Sequence, residues 1–552
     1  MKRIFSSIFI LAVCLSLFAQ QQYRTPVRPT KNVILMIPDG TSVGVISAAR
    51  WYQIYNQLGG DRLAIDPYIC GTVKTFSLNA PIGDSAPTTS CYMTGVPQRA
   101  GNVSIYPLVD PKNDLVALNS ALSYQPLVTI LEAMKYEQKK AAGLVVTVEF
   151  PHATPADCAS HHYNRGKYEY LAPQIAHNNL DVVFGGGSAF VSEDMKQYFR
   201  ANGTTYIQND LAAFRAFDSN EKLWALFADV ALPFDLDADT TKIPSLAEMT
   251  KKAIDQLSKN ENGFFLMVEG SKVDYAAHGN DAIGCITEYL AFDKAVAVAL
   301  EFAKTNGETT IIIVPDHGNS GFTIGNRDLE NYSKATLDDL FGNVSKYKRT
   351  SNGLEEMLLK ADSSEFRGIF KEYTDIDLTD EEMELLLSSK NYKENDYMKA
   401  SNSVNMGSSI VKIMNSRTYF GFTTGGHTGE EVFLAVYHPQ GDIPIGMNTN
   451  VELNQYLFDV SGLKTPLTTL TEQLFVKHTD VFQGMKYSIS ESDGVPTLTV
   501  KSGKNTLTIP AFKSVVYWNK QPIYLNSVVV YIDKNDTFYL PAELKTYFSG
   551  KK

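Results

Sequence analysis

Ile34-Leu35-Met36-Ile37-Pro38-Asp39-Gly40 is an unbroken apolar run that ends abruptly on an acid and a glycine. The same layout returns in Ile311-Ile312-Ile313-Val314-Pro315-Asp316-His317-Gly318 and in Leu266-Met267-Val268-Glu269-Gly270. Short runs without polar alternation read as strands buried on both faces, as in parallel sheets covered by helices. Further runs at Ala142 to Val148, Asp181 to Phe184 and Val432 to Tyr437 extend the series. Helical patterns lie between and around them, at Pro126 to Lys139, Ser245 to Ser258, Asp281 to Thr305 and Thr379 to Ser389. The alternation predicts an α/β fold, a three-layer and mostly parallel sheet with helices on both faces.

In open sheets of this kind ligands bind in the crevice beyond the carboxyl ends of the strands. Asp39, Asp316, His317 and Glu269 should therefore converge there. Gathered carboxylates repel one another and are tolerated when cations neutralise them; two or three cations are needed for this set. One such acid alone reads as a helix cap or turn former, but three equivalent strand ends shift the balance.

Other motifs join the cluster. Asp274 and His278 stand four apart, so on a helix they share one face and can hold one metal. His427 sits among glycines in Gly425-Gly426-His427-Thr428-Gly429, which lets the backbone approach a ligand and completes a three-residue set with that pair. In Gly83-Asp84-Ser85-Ala86-Pro87, the proline suits the first turn of a helix and leaves Ser85 at its anion-favouring N-terminus. Ser85 is either an N-cap or a nucleophile, and a serine nucleophile needs a metal or base to activate it. Beyond another apolar run come His152, Thr154 and Arg165; the threonine hydroxyl suits magnesium, and the arginine fork suits phosphate oxygens.

The 552-residue chain carries a formal charge of −11 and shows no basic run or basic-aromatic pattern, so nucleic-acid binding is not expected. Lys2 and Arg3, the apolar stretch Ile4 to Phe18 and the polar residues from Gln20 form the layout of a signal peptide over 1–19, which implies a periplasmic or secreted protein. No later segment has the ~18 uninterrupted apolar residues of a transmembrane helix. After the signal, Cys70, Cys91, Cys158 and Cys285 remain, enough for up to two disulfides or for small buried apolar residues. The catalytic domain is expected over 20–475, with a charged helical insertion at 320–420. A small β-rich C-terminal domain is expected over 480–552, with no partner readable for it.

Taken in order, these motifs resemble those of the alkaline phosphatase family over about residues 30 to 320 and 420 to 470. The resemblance implies two zinc ions and one magnesium. Asp274, His278 and His427 would hold the first zinc; Asp39, Asp316 and His317 the second; Asp39, Thr154 and Glu269 the magnesium. It implies Ser85 as the nucleophile of a phosphoseryl intermediate, Arg165 as a phosphate clamp oriented by Asp84, and small phosphate monoesters as substrates. His152 and Tyr275 would stand behind the ligands, where some bacterial relatives carry other residues, and tune the metals. A homodimer is a further implied expectation. Phosphodiesterases and sulfatases share the metal core; Ser85 in place of cysteine argues against a sulfatase, and Arg165 favours a dianionic monoester. A binding protein with an idle core would need a lost ligand or nucleophile, and every position is filled.

Overall fold

The computed structural model describes residues 26–390, 405–492 and 494–548; the signal peptide expected at 1–19 lies outside them. A ten-stranded sheet forms the centre. Its strands are β1 (Asn32–Pro38), β2 (Ile69–Lys74), β3 (Ala141–Glu149), β4 (Val182–Gly186), β5 (Thr204–Gln208), β6 (Lys222–Leu226), β7 (Phe264–Gly270) and β8 (Thr309–Ile313), with Val432–Tyr437 and Gly446–Thr449. In space the order runs Gly446–Thr449, β2, Val432–Tyr437, β8, β1, β7, β3, β4, β6, β5.

The three strands that end in acids are therefore neighbours, with β1 flanked by β7 and β8 in parallel register. Every residue of β1 is buried. Ile34 and Met36 enter the core on one side of the sheet, while Val33, Leu35 and Ile37 enter the core on the other. This two-sided burial explains why the run lacks polar alternation.

The helices begin and end where local chemistry directs. Ser245 caps the Leu246–Leu257 helix by accepting from Glu248 N, and Asp281 caps Ala282–Asn306 by accepting from Gly284 N. Gly307 closes the latter helix at φ 71°, a conformation glycine adopts without steric cost. The 320–420 stretch is built largely of helices, including Asp380–Ser389, with one short ladder between Thr323–Ile324 and Phe420–Gly421.

Some features differ from expectation. Val432–Tyr437 runs antiparallel to both β2 and β8, because apolar content reports burial and not direction. β2, β5, β6 and Gly446–Thr449 were not expected as strands; β2 is half exposed and Gly446–Thr449 lies at the sheet edge. The four described cysteines are free, and three of them are buried as small apolar groups.

The C-terminal part holds a five-stranded antiparallel sheet and a three-stranded one. The latter pairs Val476–Lys477 with Thr537–Leu540, so the β-rich part begins just ahead of residue 480. It is not a detached bead. Val528, Val530, Ile532 and Tyr539 belong to the same core cluster as Val33 and Leu35. Among the described residues no helix is long and apolar enough to cross a membrane.

Candidate metal and phosphoryl-transfer site

Asp39 follows directly on β1, Glu269 lies at the end of β7 opposite Ile37, and Asp316 and His317 follow β8. The sheet thus delivers all four to one rim. Gly40 makes the convergence possible: at φ 62° its N–H donates to Asp316 Oδ1 at 3.1 Å, and a Cβ there would stand 2.3 Å from Asp274 Oδ1. Asp274 and His278 share one face of the Lys272–His278 helix that follows β7, with His278 Nε2 3.3 Å from Asp274 Oδ2. His427 arrives on a two-residue ladder with Gly318–Asn319, next to His317.

Three groups of ligand atoms fall within 4.8 Å of one another: Asp274 with His278 and His427, Asp39 with Asp316 and His317, and Asp39 with His152 and Glu269. Thr154 lies in the Ala153–Ala159 helix, fully buried, with its hydroxyl unpartnered. His152, expected behind the ligands, instead brings a ring nitrogen beside Asp39 and Glu269. Its Nε2 lies 3.0 Å from an Arg165 terminal nitrogen. An arginine N–H only donates, so Nε2 accepts and the ring proton sits on Nδ1. That arrangement keeps His152 an orienting partner of Arg165. Tyr275 packs edge-on against His152 with ring centres 6.0 Å apart.

The histidine tautomers test whether cations fit. His278 Nδ1 lies 2.7 Å from Gly425 O and His427 Nδ1 lies 2.9 Å from Gly83 O. Carbonyl oxygens only accept, so each ring in its neutral form carries its proton on Nδ1, and the two Nε2 lone pairs then face each other at 3.0 Å. His317 repeats the pattern: Nδ1 bonds Gly318 O at 3.1 Å, and the Nε2 lone pair faces Asp39 at 3.3 Å and Asp316 at 3.5 Å. Asp39 Oδ1, Asp316 Oδ2 and both Glu269 oxygens are buried without a hydrogen-bond partner. Facing lone pairs and orphaned carboxylates are repulsive unless positive charge lies between them. The donors fit divalent cations.

The electrostatics agree. Burial, then the charges of Asp316, Asp274 and Glu269, push the Asp39 carboxyl well above its usual range. Burial lifts Glu269 to about 8. Burial also works to raise Asp274, but the positive charge that His278, His427 and His317 carry when protonated holds it well below the usual range, so without a cation these imidazoles supply the charge the cluster calls for.

Ser85 opens the Ser85–Thr94 helix, is 2% exposed, and has its Oγ 3.5 Å from Asp39 Oδ2 and 3.4 Å from His317 Nε2. Asp84 precedes it in extended conformation and accepts from Arg165 at 2.8 Å. Burial would raise Asp84, yet Arg165, His427 and His317 outweigh it and keep the group ionised. One orienting residue escaped sequence reasoning. Asn319 donates to Asp274 Oδ1 at 2.7 Å and fixes that carboxylate. The available signal was its place two residues after His317, within the ladder that also carries His427.

Comparison with known proteins agrees with this geometry. The family model for alkaline phosphatase matches residues 30–463. Alkaline phosphatase 3 of Bacillus subtilis (strain 168) is 31% identical over 455 residues, which cover 80% of this chain and 91% of that protein. Alkaline phosphatase 4 of the same organism is 29% identical, with 81% and 91% covered. Among solved structures, the cold-active alkaline phosphatase from the psychrophile Shewanella sp. aligns at TM-score 0.66 with 25% identity, covering 79% of this chain and all of that one. The Thermus thermophilus alkaline phosphatase shares the fold at TM-score 0.69 with 23% identity, covering 81% and 94%. The converging strand ends, the lone pairs that call for cations and a match spanning most of the sequence lead to one conclusion: the chain belongs to the alkaline phosphatase family and is a metal-dependent phosphatase.

Proposed function

We propose that this phosphatase hydrolyses phosphate monoesters to an alcohol and inorganic phosphate through a phosphoseryl intermediate on Ser85. Two zinc ions fit Asp274, His278 and His427 on one side and Asp39, Asp316 and His317 on the other; magnesium fits Asp39, Thr154 and Glu269. Magnesium favours hard oxygen donors, and the buried, unpartnered Thr154 hydroxyl supports that choice. Bound there, divalent cations would lower the pKa of the Ser85 hydroxyl and neutralise charge on the phosphoryl and leaving oxygens.

Ser85 Oγ gives up its proton and bonds to phosphorus as the bond from phosphorus to the substrate alcohol breaks. Water then attacks the phosphoseryl phosphorus, and the serine oxygen leaves and regains a proton. Each displacement inverts phosphorus, so the overall transfer retains configuration. Arg165 grips two phosphoryl oxygens with its fork, and Asp84 and His152 fix the plane of that fork. The observation that carries the reading is the position of Ser85, at a helix N-terminus and within 3.5 Å of both Asp39 and His317.

The test pairs metal analysis with p-nitrophenyl phosphate turnover for the parent and for Ser85→Ala. Turnover should fall at least about 10³-fold with metal content kept. A variant that still turned over at the parent rate would end the proposal. Kinetics on a monoester and a diester with the same leaving group decide between monoesterase and diesterase. The signal-peptide layout at 1–19 supports export, and the mature N-terminus read by mass spectrometry tests it.

A further inference from the structure

Arg165 lies on a loop that is fastened from two sides. On the inner side, Val103 and His162 exchange backbone hydrogen bonds at 2.8 and 2.9 Å, and Arg165 N donates to Gly101 O at 2.7 Å. On the outer side the contacts come from the C-terminal β-rich part. Tyr163 OH donates to Asp533 Oδ1 at 2.6 Å, and Lys534 Nζ stands 5.6 Å above the Tyr163 ring. His162 packs against Tyr163 and Tyr170, with ring centres 4.3 and 5.4 Å away. Tyr170 in turn stacks on Phe512, with ring centres 4.6 Å apart and planes 18° apart. Phe512 holds φ at 64°, which is uncommon for a bulky residue, and the turn that imposes it delivers the ring to Tyr170.

We propose that the C-terminal β-rich part is a positioning element for the phosphate clamp, acting through Asp533 and Phe512 on the loop that carries Arg165. A planar guanidinium recognises two phosphoryl oxygens only when its plane is set, so a loop that drifts by a fraction of an ångström loses the fork geometry. Asp84 and His152 hold the head of Arg165, while the C-terminal part holds Tyr163 directly and His162 through Tyr170, on the loop that leads to Arg165. This inference rests on Arg165 as the clamp. It assigns the C-terminal part a role inside the reaction without an external partner.

The experiment uses the full-length, metal-loaded enzyme with Tyr163→Phe, Asp533→Ala, the double variant and, independently, Phe512→Ala. Tyr163→Phe removes the donor and Asp533→Ala the acceptor of the same surface hydrogen bond, and both leave the core intact. KM for p-nitrophenyl phosphate and Ki for inorganic phosphate should both rise about three- to tenfold, with kcat changed less. The double variant should be no weaker than either single one, because both remove the same bond. Zinc and magnesium content should stay at the parent value. A merely stabilising contact would shift urea unfolding and leave KM and Ki alone, and that outcome overturns the proposal. Arg165→Ala is the control. If it leaves KM and Ki unchanged, the clamp reading fails and this inference falls with it; if it weakens both while the other variants match the parent, only the positioning inference fails.

Discussion

Two buried acidic clusters, one around Glu132 and one around Asp39 and Glu269, are built in opposite ways. Glu132 is fully provided for: its oxygens receive Thr129 N at 3.0 Å, Asn178 Nδ2 at 2.8 Å and His161 Nε2 at 3.0 Å. Burial alone would raise its carboxyl, yet His161 and these donors hold it below the usual range. Asp39 and Glu269 are equally buried, but Asp39 Oδ1 and both Glu269 oxygens lack donors, and both carboxyls are pushed upward. A buried carboxylate surrounded by donors is scaffolding, whereas one left without donors marks a place for a cation.

The sharpest way to break this distinction is Asp39→Asn. Both proposed cation sets on that side share Asp39, so turnover should fall at least about 10³-fold. The metal-free variant should nevertheless unfold no earlier in urea than the metal-free parent, because the substitution removes one of several mutually repelling charges. A large loss of stability would place Asp39 with the scaffold. Glu132→Ala should do the reverse. It strips His161 and Asn178 of their partner and should cost about 3 kcal/mol of unfolding free energy. Turnover per folded molecule should stay within about twofold of the parent, since the contacts of Ser85 and Arg165 are untouched.

How far the sequence exposed these two clusters differs as well. The acidic rim was legible because apolar runs report two-sided burial and each ends on its acid, which brings the ends of the neighbouring strands β1, β7 and β8 together. The Glu132 cluster was not legible as a whole: Thr129 and Glu132 form a capping box, but His161 and Asn178 join them from distant segments with no shared pattern. Strand direction was hidden too: Val432–Tyr437 reads like its parallel neighbours and runs against them. The same holds for the C-terminal part, whose short strands were visible while its packing into the main core was not.

Asn319→Ala probes the boundary between the two kinds of cluster. Asn319 donates to Asp274, a residue that otherwise depends on histidines and a cation. Its loss should weaken metal retention about 10- to 100-fold, read as the chelator concentration that halves activity, with little change in turnover at saturating zinc. Unchanged retention would mean that the histidines alone hold Asp274 in place.

The smallest effect is in the acid limb of stability. The folded-state carboxyl of Glu132 lies below its ordinary value, so its contribution is present above the unfolded-state value of about 4.3 and is lost as pH falls through the lower, folded-state value. Glu132→Gln removes that proton-linked part. Urea unfolding followed from pH 6 downward should therefore show the parent losing stability faster than the variant, so that their difference narrows toward acid. The orphaned carboxylates have the opposite sign, since a raised value favours folding of the protonated form and its benefit fades as pH rises through about 8 for Glu269. Glu269 still gains stability as pH falls from 6 toward its unfolded value of about 4.3, but equally in parent and variant, so the narrowing gap between them reports on Glu132. A gap that stayed constant to low pH would mean that the donors around Glu132 stabilise it equally well when protonated, and the contrast between the two clusters would be one of geometry alone.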